Sequence, residues 1–153
     1  MTEALLVENA KALTDIFGRW PSFHDAEVLS IHLDRSGEGS PSLEARVHVF
    51  RMNNDVDDRG YFVLTKHTLV TLRFSNIILR DLRWFNDQNS LSGLGIEQVD
   101  PAENEGRTLG VSFDSNYGVE LDVLCDRITV QSVEPFTPAE VPPRSSLGQR
   151  DEL

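Results

Sequence analysis

The stretch Trp20-Pro21-Ser22-Phe23-His24-Asp25-Ala26-Glu27-Val28 runs straight into Leu29-Ser30-Ile31-His32-Leu33-Asp34, and its reading decides the fold. Upstream, Leu5, Leu6, Asn9, Leu13, Ile16 and Phe17 recur at near-helical intervals while Glu3, Glu8, Lys11 and Asp15 take the other faces. This predicts one amphipathic helix over residues 3–17, with Thr2 as its N-cap. Gly18 stands where a helix commonly ends in a left-handed residue, and Pro21 forbids continuation. Downstream, Leu29, Ile31 and Leu33 alternate with Ser30, His32 and Asp34, the pattern of a half-buried strand with its odd residues inward. A helix stop, a polar corner and a first strand thus follow one another directly.

Beyond that strand, Arg35 to Pro41 is loop chemistry, and Leu43, Ala45, Val47 and Val49 alternate with Glu44, Arg46 and His48. The two strands predict an antiparallel hairpin in which Leu33 faces Leu43, Ile31 faces Ala45 and His32 faces Glu44. Arg51 to Gly60, with Asn53-Asn54-Asp55-Val56-Asp57-Asp58, reads as an exposed acidic loop. A third strand follows around Val70, Leu72 and Phe74, then a strand or bend over Ile78 to Phe85. Asn86 to Gly95 reads as a turn region before a short strand at Ile96 to Val99, and Asp100 to Gly106 as a second acidic loop. Alternation returns at Leu109, Val111 and Phe113, at Val119, Leu121 and Val123, and at Ile128 and Val130, predicting a three-stranded meander. Pro138, Pro142 and Pro143 with Ser145 and Ser146 predict a disordered tail over residues 137–153, leaving one domain over residues 1–136. The predicted fold class is α+β: a single twisted, mainly antiparallel sheet of about seven strands with one N-terminal helix packed on it.

The chain carries 14 Lys and Arg against 25 Asp and Glu, a formal charge of -11. That sign opposes binding to nucleic acid or to an anionic membrane and favours a basic partner or simple solubility. Cys125 is the only cysteine, and it shares the parity of Val119, Leu121 and Val123, which predicts a buried thiol in a reducing compartment. The first eight residues lack the basic start and long apolar run of a secretory signal, and no stretch is apolar enough to span a bilayer. The expected location is the cytoplasm.

Imidazole and carboxylate gather at His24, Asp25, Glu27 and His32, the raw material of a metal or acid/base site. On one strand, however, Asp25 and Glu27 share a face while His24 and His32 take the other, so the four cannot meet one ion. A corner that satisfies backbone groups is the simpler reading. His32, His48 and His67 could meet on the outer sheet face, where a surface imidazole needs no special role. The signatures of serine hydrolases, phosphate loops, dinucleotide folds and zinc proteases are absent. Trp20, Phe23, Trp84 and Phe85 are expected to pack rather than to form a recognition patch.

The run from Trp20 to Val28, preceded by Ile16-Phe17-Gly18, resembles the opening of the immunity protein 50 family of bacterial polymorphic toxin systems. Ile31-His32-Leu33, Leu69 to Phe74, Leu82 to Asn86 and the closing Ile128 to Phe136 extend the likeness over residues 10–136. The resemblance implies a non-catalytic antidote that binds and blocks a cognate toxin, with no cofactor or metal and no catalytic residue to transfer. It also implies that Trp20, Phe23, His24, Asp25 and Glu27 form a shared structural motif. A toxin that acts on nucleic acid needs a basic surface, so Asp55, Asp57, Asp58, Glu103 and Glu105 are the expected partner-binding residues for a basic toxin domain such as a nuclease. Two other functions stay open at this point: a small metal-dependent hydrolase using His24, Asp25 and Glu27, and a structural adaptor.

Overall fold

The computed structural model describes residues 3–60 and 62–137. Apart from Thr137, the expected disordered tail lies outside the described residues, as does the expected cap Thr2. The alternating runs form eight strands: β1 (Glu27–Asp34), β2 (Ser42–Val56), β3 (Phe62–Ser75), β4 (Ile78–Arg83), β5 (Ser90–Gln98), β6 (Leu109–Tyr117), β7 (Glu120–Cys125) and β8 (Arg127–Pro135). They make a single sheet in the order β4-β7-β6-β5-β1-β2-β3-β8, with antiparallel pairing throughout. The β1–β2 register is the expected one, with Ile31 opposite Ala45, His32 opposite Glu44 and Leu33 opposite Leu43. The inward face of β1 departs from expectation only at its start: a bulge between Val28 and Ser30 shifts parity, so Val28 faces inward opposite Val47 before it and Ile31 and Leu33 face inward opposite Ala45 and Leu43 after it, with Leu33 exposed near the strand end.

The predicted meander is half correct: β6 and β7 form a hairpin, but β8 pairs with β3 and not with β7. Only Asp126 separates β7 from β8, and only Asn76 and Ile77 separate β3 from β4, yet each pair stands near opposite edges of the sheet order. The sheet must therefore fold over on itself. Phe74 on β3 and Phe113 on β6 confirm it, with ring centroids 6.2 Å apart although four strand spacings, about 19 Å on a flat sheet, lie between their strands. Asn76 pins the two crossovers together: its Nδ2 donates to Asp126 Oδ2 (2.8 Å), and its carbonyl and side-chain oxygens accept from Arg107 (3.0 and 3.1 Å). The two inner faces meet in one apolar core that includes Leu43, Val47, Leu72, Phe74, Val111 and Phe113.

The single predicted helix is instead a short 3-10 turn, Glu3–Leu6, followed by α1 (Lys11–Phe17). Between them Glu8 bonds along β8, its N–H to Ile128 O (2.8 Å) and its carbonyl from Val130 N (2.9 Å). Asn9, at φ 59°, turns the chain while its Nδ2 donates to Val130 O (2.9 Å). A helical backbone has no groups free for such bonds, so covering the edge of β8 breaks the helix. Gly18, at φ 79°, closes α1 as expected, its N–H on Thr14 O (2.7 Å).

Strand directions give the molecule two ends. Residues 34–42, 75–78, 98–109 and 125–127 share the crossover end, and residues 17–27, 49–60, 62–65, 83–90 and 116–120 the corner end.

Candidate partner interface

At the corner the chain joins the two halves of the sheet. Asp25 N donates to Leu91 O (2.7 Å), Leu91 N to Ala26 O (2.9 Å) and Val28 N to Asn89 O (2.9 Å), and these bonds tie β1 to β5. Phe23 and Ala26 are buried beneath them, and the Trp20 ring, half-buried, lies 5.6 Å from that of Phe23. Glu27 Oε2 accepts from Asn89 N at 2.5 Å. Asn89 is itself buried and spends all four side-chain sites: Oδ1 accepts from Asn86 N and Val119 N, and Nδ2 donates to Val28 O and Asn86 O. Nothing in the sequence singles out Asn89, which sits in a polar run indistinguishable from ordinary turn chemistry.

The motif therefore splits by depth. Phe23, Ala26 and Glu27 hold the seam, whereas the His24 imidazole and the Asp25 carboxylate face outward. His24 Nε2 is 3.5 Å from Asp25 Oδ2, and Asp25 Oδ1 accepts from Asn116 Nδ2 (3.1 Å). The expected shared strand face of Asp25 and Glu27 does not exist, because Asp25 precedes β1 and sits at φ 65°. Among the described residues no three His, Cys, Asp or Glu side chains gather as a metal ion would require.

Of the expected loop Arg51 to Gly60, Arg51 to Val56 is strand and only Asp57 to Gly60 is a turn. Pairing of β1 with β2 stops at His48 and pairing of β8 with β3 at Thr68, but β2 and β3 continue together through Arg51–Thr65, Met52–Leu64 and Val56–Phe62. The result is a two-stranded arm projecting past the rest of the sheet. Polar residues in this run mimic loop composition, and successive residues Arg51 and Met52, which point to opposite faces, are both exposed. Its root is braced on α1, where Lys66 Nζ donates to Ile16 O (2.8 Å) and Arg51 to Phe17 O, satisfying terminal helix carbonyls. Asp55 and Asp58 are exposed on the arm, Asp57 accepts from Arg59 N (2.9 Å) at its tip, and Met52 and Leu64 are exposed along it. A shallow cleft lined by Phe17, Pro21, His24, Phe50 and Met52 separates arm from corner.

Glu103 and Glu105 lie at the crossover end, in and after the 3-10 turn Pro101–Glu103 that Asp100 caps. The length of β3, roughly 40 Å of strand, stands between them and the arm, so the two acidic segments do not form one surface.

Trp84 and Phe85 are exposed, at 68% and 47%, contrary to the expected packing of all four aromatics. They follow β4 at the corner end, where β6 also ends in Tyr117, which is 64% exposed. The turn at Gly118 lets the segments touch: a Cβ there would stand 2.2 Å from Gln88 O and 2.6 Å from Asn89 Oδ1. An exposed tryptophan was not legible because alternation fades after Leu82 and assigns no face to the residues beyond it.

Corner, arm and aromatic turn all fall within residues 9–136, the span matched by the family model of Immunity protein 50. The chain belongs to the Immunity protein 50 family. No curated protein and no solved structure matches it. In this Immunity protein 50 chain the matched span starts at Asn9, where the chain leaves the β8 edge, and closes at Phe136, whose ring lies 4.6 Å from that of His48. No helix among the described residues is long and apolar enough to cross a membrane. Cys125 is buried as expected, and burial pushes its thiol up to about 12, so it is no nucleophile near neutrality.

Of the three histidines considered together, His48 and His67 meet, Nε2 to Nδ1 at 2.9 Å, while His32 stays exposed opposite Glu44. Burial, with His67 adding to it, pushes His48 down to about 4 from an ordinary 6.5. The unfolded chain therefore takes up this proton first as pH falls, and the stabilisation present above pH 6.5 is lost toward pH 4. Relative to His48→Gln, the wild-type chain is expected to lose on the order of 1–2 kcal/mol between pH 7 and pH 4, less than the full shift because the half-buried ring is partly screened by solvent. Urea midpoints of both proteins across that range check this, since carboxylate titration is common to the two. A constant difference would refute it.

Proposed function

We propose that this family member is an antidote that binds a toxin domain and blocks it by occupying its surface, without catalysis, cofactor or metal. We infer that it acts in the cytoplasm on a basic toxin such as a nuclease. Family membership supports the antidote reading. The observation that carries the mode of binding is the projecting arm with Asp55, Asp57 and Asp58, in a chain of charge -11. Carboxylates at the end of an arm meet a basic surface first, and peripheral charge acts mainly on the rate of encounter.

Replacing Asp55, Asp57 and Asp58 together by asparagine is expected to slow association with the toxin encoded beside this chain several-fold at low salt, with dissociation little changed. Wild-type association should itself fall as salt rises from about 50 to about 500 mM, where the Debye length drops well below 10 Å. The same change at Glu103 and Glu105 is expected to matter less, since a partner seated on the arm leaves the crossover end in solvent. Stopped-flow association with a parallel melting curve tests this. Salt-independent association by the folded triple variant and by wild type alike would remove charge from the mechanism.

A further inference from the structure

Trp84 combines two features that folding alone does not explain. Its φ of 66° lies in the left-handed region, where a bulky side chain is strained and glycine or asparagine is not. Trp84 is 68% exposed, so burial returns little for that strain. The conformation is nevertheless held firmly: Asn86 Nδ2 donates to Trp84 O (2.7 Å), Gln88 N to Asn86 Oδ1 (3.0 Å) and Asn86 N to the buried Asn89 Oδ1 (3.0 Å). Backbone strain kept in place by its surroundings and presented to solvent is a reason to look for a binding role.

Phe85 adjoins it, and Tyr117 stands on the other side of the Gly118 contact. The surroundings are acidic. Asp81 and Glu120 share the guanidinium of Arg83 (3.1 and 3.2 Å), and Asp87 and the outward Asp25 add two more carboxylates. Exposed aromatics inside a charged rim are what a protein interface uses as its anchor. The rim also selects the occupant. A second copy would set these carboxylates against their own kind, with -11 on each molecule, whereas a basic surface complements them.

We propose that Trp84, Phe85 and Tyr117 are the anchor of the toxin contact, entering an apolar pocket on the toxin's basic surface. This rests on the antidote reading above and divides the labour on the corner end: the arm governs encounter and the aromatic turn governs lifetime. Pre-organisation supports the division, because a backbone already held at Trp84 loses little freedom on binding.

The test uses the full chain and the toxin domain encoded beside it, with association and dissociation read separately by biolayer interferometry. Trp84→Gly suits the left-handed backbone, so its melting temperature is expected to equal or exceed that of wild type, while dissociation accelerates at least tenfold. Tyr117→Ser is expected to accelerate dissociation in the same direction, and neither variant should alter the salt dependence of association. If Trp84→Gly melts markedly lower, Phe85→Ser and Tyr117→Ser carry the test, and unchanged dissociation in both overturns the anchor. Dissociation within twofold of wild type for folded Trp84→Gly also overturns the anchor and leaves the antidote reading intact. Wild-type protein that neither binds nor protects against the toxin overturns both. Wild-type self-association abolished by Trp84→Gly would overturn the toxin as occupant in favour of a second copy.

Discussion

Replacing Asn89 by alanine is expected to lower the free energy of unfolding by about 4 kcal/mol, among the largest effects any single substitution in this chain should have. The side chain is 2% exposed and joins three segments: the start of β1 through Val28 O, its own loop through Asn86, and the β6–β7 turn through Val119 N. Alanine leaves Val119 N–H and Val28 C=O without these partners, and each buried group stranded in this way costs roughly 1–3 kcal/mol. Asn86, at the surface, recovers water and adds less. Because the seam between the half-sheets has few other bonds, loosening it should also reduce cooperativity. A fall in melting temperature of roughly 10–20 °C is the expected readout for a chain of this length. Asp25→Ala offers the contrast, since its carboxylate is partly exposed and accepts from the exposed Asn116; about 1 kcal/mol or less is expected there. A loss below that level for Asn89→Ala would show that the seam is held by the apolar core alone.

Gly118→Ala should be comparably severe, for a different reason. The residue sits at φ 78°, and a methyl group would meet Gln88 O at 2.2 Å, backbone that cannot step aside as a flexible side chain can. The left-handed conformation alone costs an alanine on the order of 1–2 kcal/mol. Displacing the 84–89 loop adds to this, for an expected total of about 3–5 kcal/mol. Gly60→Ala isolates the first part, because Gly60 has φ 88° with nothing within 4 Å of a built Cβ. Equal losses for the two variants by chemical denaturation would mean that the 84–89 loop gives way freely.

The two substitutions mark where the chain's local pattern stops being informative. Alternation is a property of consecutive residues, so it revealed most of the strands and the β1–β2 register, where a short connection leaves few ways to align Ile31 with Ala45. The same rule misjudged Arg51 to Val56 and Ser90 to Gly95, whose composition is that of loops although they lie in paired strands. Helical periodicity ran through Val7 to Ala10 because it sees faces and not the β8 edge that draws Glu8 out of the helix.

From the sequence by itself come the fold class, the inward faces of most strands, the buried Cys125, the helix stop at Gly18 and the family resemblance carried by the corner. Only the tertiary structure decides that β8 returns to β3, that Glu27 works through Asn89 while Asp25 faces solvent, that the two acidic segments stand at opposite ends, and that Trp84 lies outside. The physical reason is range. Which side of a strand is apolar follows from neighbours two residues away, but which strand lies beside it follows from how the whole sheet closes over its core. Hydrogen bonds between residues 62 positions apart, as between Glu27 and Asn89, leave no periodic trace in the chain that makes them.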